Sequence, residues 1–412
     1  MNPTKKILFS QRIGGARFGE GTGGYKFARI KQAKRQAIEK DPTKKLLDFG
    51  IGEPDGMPPQ EAIEVLCQEA TKPENQRYAD LGGSRLKEAA ARYLQKVYGV
   101  TVDPHLHILH SIGTKSALPI LALALVDPGD LVLVTVPGYP VFGTHAEYCG
   151  GVLYPLFLTE ENHFLPDLET IPEEILTRAK VFLLNYPNNP TGATASRTFF
   201  SRVVELAHQY GFVVLHDIAY GGLVFDGKPL SFLSVPGAME VGLELHSASK
   251  NFNMTGWRCG FVVGNPRLIA AYGAVKEHTD SGQFLAIQAA VAWCLEHPEF
   301  TEALARKYSR RMDLLVGVLQ RLGFPAQKSG GTFFLYTRAP RAVHTPQDHI
   351  TFGSAQECAE WLIREPGVVT VPWDEAGPYL RWSVTFGGKT PDEEENIVQD
   401  LYRRLQSYTF EW

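Results

Sequence analysis

One lysine in the middle of the chain has neighbours that suit covalent chemistry. Lys250 lies in the stretch SASKNFNMTGWRCG, with two serines just before it and Arg258 further along. An activated lysine can form a Schiff base with a carbonyl compound. Ser247, Ser249 and Arg258 offer hydroxyl groups and a planar guanidinium to a dianionic phosphate. These residue types together predict a ligand that carries both an aldehyde and a phosphate.

Pyridoxal 5'-phosphate is the cofactor that combines these two groups, and three other side chains suit its ring. The ring nitrogen needs a carboxylate partner to stay protonated, since the cationic ring is the better electron sink. Asp217, in the stretch HDIAY after an apolar run, is the candidate. Tyr220 and Asn189 are candidates to hold the ring hydroxyl with a phenol and an amide. Taken singly, Asp217 could instead cap a helix and Tyr220 could fill the core.

Two loops offer further polar groups. The stretch HSIGTKSAL (110–118) is a turn of small residues between a short strand and a helix. Backbone N–H groups at a helix start bind phosphate, and Thr114 and Lys115 can add donors. In NYPNNPTG (185–192), two prolines and a glycine fix the backbone while asparagine amides project from the loop. Each loop alone also fits a purely structural turn.

The elements that must position these residues alternate between short apolar runs and helical patterns from about Arg77 to Gly264. Strands that are apolar on both faces are typical of a buried, mostly parallel sheet. The runs are LVLVTV (131–136), VFLLN (181–185), FVVLHD (212–217) and FVVG (261–264). Helical stretches at 115–126 and 196–210 lie between them. The pattern predicts an α/β domain with helices on both faces of the sheet.

The pattern changes after Pro298 and predicts a smaller α+β domain. A final helix is expected to start near Thr390, which can cap it, with Pro391 in the first turn. The earlier elements of this part are a long helix (301–323), a strand (331–337) and a helix around Ala355–Arg364. The predicted units are an N-terminal arm with part of the small domain (1–50), a large cofactor-binding domain (51–299) and a small C-terminal domain (300–412).

Composition narrows the class of protein. The chain has 412 residues, 44% of them hydrophobic, and a net charge of −4. This mild acidity argues against nucleic acid or an anionic membrane as a partner, since both favour a concentrated basic surface. The five cysteines are far apart without a C-x-x-C pair, which predicts free thiols and no metal site. No apolar stretch follows the first lysines, so a cytoplasmic location is expected.

The order of several motifs resembles that of the class I/II aminotransferases of fold type I. The motifs are, in chain order, YAD…GGSRLKEA, GTKS, PGYP, NNPTG, D…Y, SASK…R and LRWS. The resemblance covers nearly the whole chain. It implies a large domain whose mostly parallel seven-stranded sheet is sandwiched by helices, plus a smaller α+β domain. It also implies transamination between amino acids and keto acids with pyridoxal 5'-phosphate as cofactor.

The resemblance also implies a role for each matching position. Lys250 would hold the cofactor as an imine and move a proton at the substrate's α-carbon. Asp217 would pair with the ring nitrogen, Tyr220 and Asn189 would hold the ring oxygen, and Tyr139 would stack on the ring. The residues implied to hold the phosphate are Thr114, Lys115, Ser247 and Arg258, with Ser249 either joining them or shaping the loop.

Other matching positions concern the substrate and a second subunit. Arg381 would clamp the substrate α-carboxylate in two parallel hydrogen bonds, and Gly52 would approach the same group through its backbone. Asn189 and Tyr25 are also expected to contact the substrate. Tyr78 would reach the phosphate site of the neighbouring subunit, which implies a homodimer with shared active sites.

Within the family, several stretches most resemble the members that act on LL-2,6-diaminopimelate. These stretches are GGYKFARIKQ (23–32), PGYPVFGTHA (137–146), ELHSASKNFNMTGWRCGFVVGN (244–265) and DSGQF…IQ (280–288). A substrate with a second ammonium and carboxylate needs polar groups beyond the cofactor, which Tyr25 and the Asp280–Gln283 loop could supply. The resemblance thus implies exchange between tetrahydrodipicolinate and LL-2,6-diaminopimelate, with glutamate and 2-oxoglutarate as the other pair, in lysine and peptidoglycan precursor synthesis.

One position departs from that subgroup. Its better-known members carry a glutamate that faces the distal ammonium, where this chain has Leu81, with Asp80 just before it. Either Asp80 takes over or the substrate differs, so an aminotransferase for aspartate, alanine or aromatic amino acids is the alternative. A C–S β-lyase shares the same fold. A DNA-binding regulator built on this fold needs an added basic helical domain, but only 45 residues precede LLDFGIGEPD.

Overall fold

The computed structural model describes residues 9–18 and 26–412, so the predicted substrate contact Tyr25 lies outside the described residues. The helices are α1 (Lys26–Lys40), α2 (Gln60–Ala70), α3 (Ser84–Tyr93), α4 (Thr114–Leu125), α5 (Val141–Tyr148), α6 (Glu173–Arg178), α7 (Arg197–Tyr210), α8 (Ala238–Val241), α9 (Ala248–Asn251), α10 (Pro266–Lys276), α11 (Leu285–Glu296), α12 (Glu299–Arg321), α13 (Ala355–Arg364) and α14 (Pro391–Leu405). The strands are β1 (Leu47–Asp48), β2 (Ile108–Ser111), β3 (Leu131–Val136), β4 (Val152–Phe157), β5 (Ala179–Asn185), β6 (Val213–Asp217), β7 (Gly242–Ser247), β8 (Gly260–Gly264), β9 (Phe334–Arg338), β10 (Ala342–His344), β11 (His349–Thr351), β12 (Val368–Val369), β13 (Val371–Trp373), β14 (Tyr379–Ser383) and β15 (Thr409–Glu411).

A seven-stranded sheet forms the centre of the large domain. Its strand order is β2-β8-β7-β6-β5-β3-β4. The neighbours from β7 to β4 pair in parallel, and β8 pairs antiparallel with both β2 and β7. The predicted α/β fold with a mostly parallel, seven-stranded sheet is therefore confirmed.

Successive residues of each central strand pack alternately in two different cores, one on each face of the sheet. In β5, Val181 and Leu183 pack in the core that contains residues of α4, α5 and α10. Phe182 and Leu184 pack in the core on the other face, with residues of α3, α7 and α11. Because successive side chains of a strand point to opposite faces, both faces must be apolar. This explains the nearly unbroken apolar runs of the sequence.

A third core joins the two ends of the chain. It contains Ala33 and Ala37 of α1, Trp361 of α13 and Leu401 of α14. Strand β1 pairs in parallel with β12, and β9, β13 and β14 form an antiparallel sheet beside them. The domain boundaries remain a prediction. In the described part of the chain, none of the helices combines the length and apolar character that crossing a membrane demands.

The predicted cap of the last helix is present. The Thr390 hydroxyl accepts a hydrogen bond from the Glu393 backbone N–H at 3.2 Å, and α14 begins at Pro391. The Glu393 carboxylate reaches back to the Lys389 N–H at 2.7 Å. These contacts satisfy N–H groups that a helix start leaves without intrahelical partners.

Strand β7 is central to the sheet although its apolar pattern does not predict it. Its residue Glu244 is fully buried and accepts hydrogen bonds from His216 at 2.9 Å and His246 at 3.1 Å. The Ser231 hydroxyl and the Phe232 N–H donate to the same carboxylate at 2.7 and 2.6 Å. Burial opposes ionisation of Glu244, but the two imidazoles outweigh it and hold its pKa well below the usual range.

Glu244→Ala is expected to lower the free energy of unfolding by about 3–5 kcal/mol, because it leaves a buried, hydrogen-bonded network without its charged acceptor. Urea denaturation followed by tryptophan fluorescence measures the change. The matched control is Glu240→Ala at an exposed position of α8, which should change stability by less than about 0.5 kcal/mol. Equal effects of the two variants would contradict this account.

Candidate active site

A cavity of about 1220 Å³ opens at the carboxyl ends of the parallel strands. This is where open α/β sheets bind their ligands. Most of the predicted site residues line it, namely Gly52, Thr114, Lys115, Tyr139, Asn189, Asp217, Tyr220, Ser247, Ser249, Lys250, Arg258 and Arg381. Residues far apart in sequence thus meet in one cavity, as the strand order requires.

Lys250 lies in the short helix α9, directly after β7. Its Nζ atom donates a hydrogen bond to the Gly52 carbonyl oxygen at 2.8 Å. Burial, against the opposing charge of Glu53 and with the help of Arg258 and Arg381, lowers the pKa of this amine to about 8. Near neutral pH the unprotonated, nucleophilic fraction of this amine is therefore much larger than that of an ordinary lysine.

Asp217 ends β6 and is buried, with 4% of its surface exposed. Its Oδ1 atom accepts a hydrogen bond from the Ala219 N–H at 3.1 Å. Burial raises the pKa of the carboxyl to about 6, against the lowering effect of that hydrogen bond and of His216. A buried carboxylate of this kind gains from a cationic partner. Nearby Tyr220 is also buried, which raises the pKa of its phenol.

The start of α4 and the side chain of Arg258 form a cradle of donors. Gly113 precedes the helix with φ of +73°, and a Cβ atom there would lie 2.6 Å from Arg258 Nη2. Arg258 itself has a left-handed backbone with φ of 55°, a conformation that costs free energy and often marks functional sites. Its Nη1 atom donates to Ser249 Oγ at 3.3 Å and to the Thr255 carbonyl at 2.6 Å.

This cradle fits a phosphate group. The first N–H groups of α4, at Thr114 and Lys115, lie at the positive end of the helix dipole. Ser247 also lines the cavity, and its Oγ atom accepts a hydrogen bond from the Ser249 N–H at 3.1 Å. The backbone donors, the hydroxyl groups and the Arg258 guanidinium supply the donor set that a dianion prefers.

Arg381 lies in β14, lines the cavity and is 3% exposed. Its Nη1 atom donates to Asn189 Oδ1 at 2.9 Å, and its guanidinium lies 4.0 Å from the Phe334 ring centroid. Asn189 is held in turn by a backbone hydrogen bond to Asn185 Oδ1 at 2.9 Å. Gly52 lies next to the same guanidinium, since a Cβ atom there would be 3.6 Å from Nη2. The guanidinium is thus oriented for a planar carboxylate.

Sequence reasoning does not identify several other residues that line the cavity. They are Glu53, Glu147, Asn185, Phe334, Trp373 and Glu375. Glu53 has a local signal, because it follows Gly52 directly. Trp373 has none, since it reaches the site through the antiparallel pairing of β13 with β14, in which Val371 lies opposite Arg381, and Glu375 follows two residues after β13.

Tyr78 does not line the cavity of its own chain and is 84% exposed.

Asp80 and Leu81, where this chain differs from the members that act on diaminopimelate, have different environments. Asp80 is exposed, whereas Leu81 packs against the core beneath α4 and α10. Of these two side chains, only that of Asp80 faces away from the core of its own chain.

Fold and site together define a transferase of the fold type I class. A family model described as aminotransferase class I and II matches residues 44–401. The chain belongs to this family, whose members act on amino acids and keto acids and in general depend on pyridoxal phosphate.

Individual relatives cover nearly the whole chain. The LL-diaminopimelate aminotransferase of Methanocaldococcus jannaschii is 50% identical, over 98% of each protein. That of Methanococcus maripaludis is 45% identical, again over 98% of each. Among solved structures, substrate-bound BacF from Bacillus subtilis is 31% identical with a TM-score of 0.87, over 98% of this chain and 99% of that one.

Proposed function

We propose that this chain transfers an amino group between LL-2,6-diaminopimelate or tetrahydrodipicolinate and glutamate or 2-oxoglutarate. The reaction would serve the synthesis of lysine and peptidoglycan precursors. The observation that carries the proposal is one cavity that contains the Lys250 amine with its lowered pKa, the buried Asp217 carboxyl and the Arg381 guanidinium. The substrate is supported by the activity for which the Methanocaldococcus jannaschii and Methanococcus maripaludis relatives are named, at 50% and 45% identity.

The residues present fit pyridoxal 5'-phosphate. The cradle at Gly113 and Arg258 has room for a phosphate because Gly113 lacks a side chain. Asp217 would pair with the ring nitrogen, Tyr139 would face the ring, and Tyr220 and Asn189 would hold its hydroxyl. When bound, this cofactor supplies an electron sink and carries the amino group between the two substrates.

The chain's own residues would do the rest of the chemistry. The Lys250 amine, with its lowered pKa, is suited to removing and returning the proton at the substrate α-carbon. Arg381 would bind the α-carboxylate in two parallel hydrogen bonds and so fix which bond faces the lysine. The hydrogen bond from Lys250 to the Gly52 carbonyl supports a role for the Gly52 backbone close to the amine.

The far end of the substrate carries an ammonium and a carboxylate. Glu53 and Glu375 line the cavity and can accept hydrogen bonds from that ammonium. Leu81 packs into the core and cannot do so, whereas the exposed Asp80 could act from a neighbouring subunit. These carboxylates support a diamino acid as substrate despite the departure at Leu81.

We also propose a homodimer that works in the cytoplasm. The exposed Tyr78 has no place in its own cavity, which supports a role at that of a second subunit. The five cysteines are all free thiols, as expected in a reducing compartment. Analytical ultracentrifugation tests the dimer, and a monomer that is fully active would overturn it.

A panel of amino donors with 2-oxoglutarate as acceptor tests the proposed substrate. LL-2,6-diaminopimelate should give the highest kcat/KM, and aspartate, alanine and phenylalanine should react much more slowly. If aspartate or alanine reacted faster, the substrate proposal would be wrong while the aminotransferase family would stand. The absorbance change of the bound cofactor on adding each donor gives a second readout that does not depend on the acceptor.

The lowered pKa of Lys250 predicts how cofactor attachment depends on pH. Only the unprotonated amine is nucleophilic, so the initial rate of covalent attachment to the apo protein should rise with pH and reach half its maximum near pH 8. Borohydride reduction and mass spectrometry of the Lys250 peptide measure that rate. A midpoint near the ordinary lysine pKa of about 10.4 would contradict the proposed burial effect.

A further inference from the structure

Two imidazoles and a carboxylate meet on the solvent face of the small sheet of β11, β10 and β15. His344 Nε2 lies 2.5 Å from Glu411 Oε1, and His349 Nε2 lies 3.4 Å from the same oxygen. The two imidazole rings are stacked, with centroids 4.3 Å apart and planes 22° apart. All three side chains are partly or largely exposed, and none of them lines the active-site cavity.

The strand register explains this convergence. His344 lies directly opposite His349 on the neighbouring antiparallel strand, and Glu411 lies opposite Ala342, two residues before His344. Residues at i and i+2 of a strand point to the same face, so the three functional side chains share one surface. Residues Val343 and Phe410 point the other way and pack in the core. The arrangement is therefore fixed by backbone pairing.

An ion pair with a protonated imidazole does not explain why two stacked imidazoles converge on the Glu411 carboxylate. Two protonated imidazoles stacked 4.3 Å apart would repel each other, as like charges directly opposite on paired strands do. An exposed ion pair of this kind contributes little to stability. A single cation between the two Nε2 atoms and the carboxylate oxygen would satisfy all three groups at once.

We propose that His344, His349 and Glu411 form a binding site for a divalent transition metal of the zinc class. Their ligand atoms all lie within 4.8 Å of one another. Zinc bonds to imidazole nitrogen and carboxylate oxygen are about 2.0–2.2 Å long, so small rotations of exposed side chains bring all three into range. Two imidazoles with one carboxylate favour zinc, nickel or copper over magnesium or calcium, which prefer oxygen ligands.

Such a metal would tie the C-terminal strand β15 to the hairpin of β10 and β11. Its role would be structural, since the cluster lies outside the catalytic cavity. The sequence does not suggest it, because His344 and His349 are 62 or more residues away from Glu411 and match no metal motif. Pairing of the three strands is what brings the ligands together.

Titration of untagged full-length protein with Zn²⁺, in competition with a chromophoric chelator, tests the site. One zinc per chain should bind, and Glu411→Gln and His344→Ala should each weaken its binding by at least about tenfold. His105→Ala, an exposed histidine elsewhere, should bind zinc as the wild type does. Equal zinc affinity in the wild type and in the two cluster variants would overturn the proposal.

Thermal unfolding gives an independent readout. Zinc should raise the unfolding midpoint of the wild type by binding the native state, and should not raise that of Glu411→Gln. Transaminase activity should be the same in both proteins. A zinc-dependent rise of the midpoint that is as large in Glu411→Gln as in the wild type would also overturn the proposal.

Discussion

Lys250→Ala is expected to abolish covalent attachment of the cofactor and to lower turnover by at least about three orders of magnitude, since a general acid–base group alone contributes about 10²–10⁴-fold. The amine donates a hydrogen bond to the Gly52 carbonyl, and the charges of Glu53, Arg258 and Arg381 influence its pKa. None of these groups can form an imine with the cofactor, and neither a guanidinium, which has no free lone pair, nor a backbone carbonyl can serve as the base in place of the amine. Mass spectrometry after borohydride reduction and single-turnover kinetics measure the two effects.

Lys180→Ala is the matched control for this variant. Lys180 lies in β5 of the same sheet, but its side chain is exposed and its ion pair with Asp130 is long, at 3.7 Å. This variant should keep its cofactor attachment and its turnover. If Lys250→Ala still carried covalently bound cofactor, or if both variants lost activity equally, the role proposed for Lys250 would be wrong.

The second large effect concerns Asp217→Asn. The amide keeps the shape of the side chain and its hydrogen bond from the Ala219 N–H, but it removes the negative charge that would face the ring nitrogen. Breaking a buried ion pair on one side costs about 3–5 kcal/mol. If that cost falls on the transition state, kcat should drop by about two to four orders of magnitude. Steady-state kinetics with a good donor measure the drop.

Stability separates this functional role from a structural one. Burial raises the pKa of Asp217 to about 6, so the ionised carboxylate is unfavourable in the protein without cofactor. The apo form of Asp217→Asn should therefore be at least as stable as the wild type in urea denaturation. The exposed Asp226→Asn serves as the control and should change neither kcat nor stability. A strongly destabilised apo Asp217→Asn would argue for a structural carboxylate.

Much of the large domain follows from the sequence because its strands are apolar on both faces. The run LVLVTV coincides with β3 (Leu131–Val136), and the predicted strand ends at Asn185 and Asp217 are those of β5 and β6. These ends matter for the site, because neighbouring parallel strands deliver Asn185 and Asp217 side by side in register. The pairing of these two strands therefore links the apolar pattern of the sequence to the geometry of the site.

Other parts depend on long-range pairing that leaves no local pattern. Strand β7 contains Glu244 and His246, whose burial makes sense only once His216 of the neighbouring strand is in place. Trp373 reaches the cavity through the pairing of β13 with β14. The cluster of His344, His349 and Glu411 likewise exists only in the folded sheet. Tertiary contacts override the periodicity signal in each case.

The core shared by the two ends of the chain has a consequence for biosynthesis. Ala33 and Phe410 belong to the same apolar cluster, and β1 needs β12 as its partner. During translation the first helix emerges long before the segments that cover it, so its apolar side stays exposed while the central sheet can already form. Contacts between segments so far apart in sequence form slowly. We therefore expect the packing of α1 and β1 against the C-terminal segments to be a late step of folding.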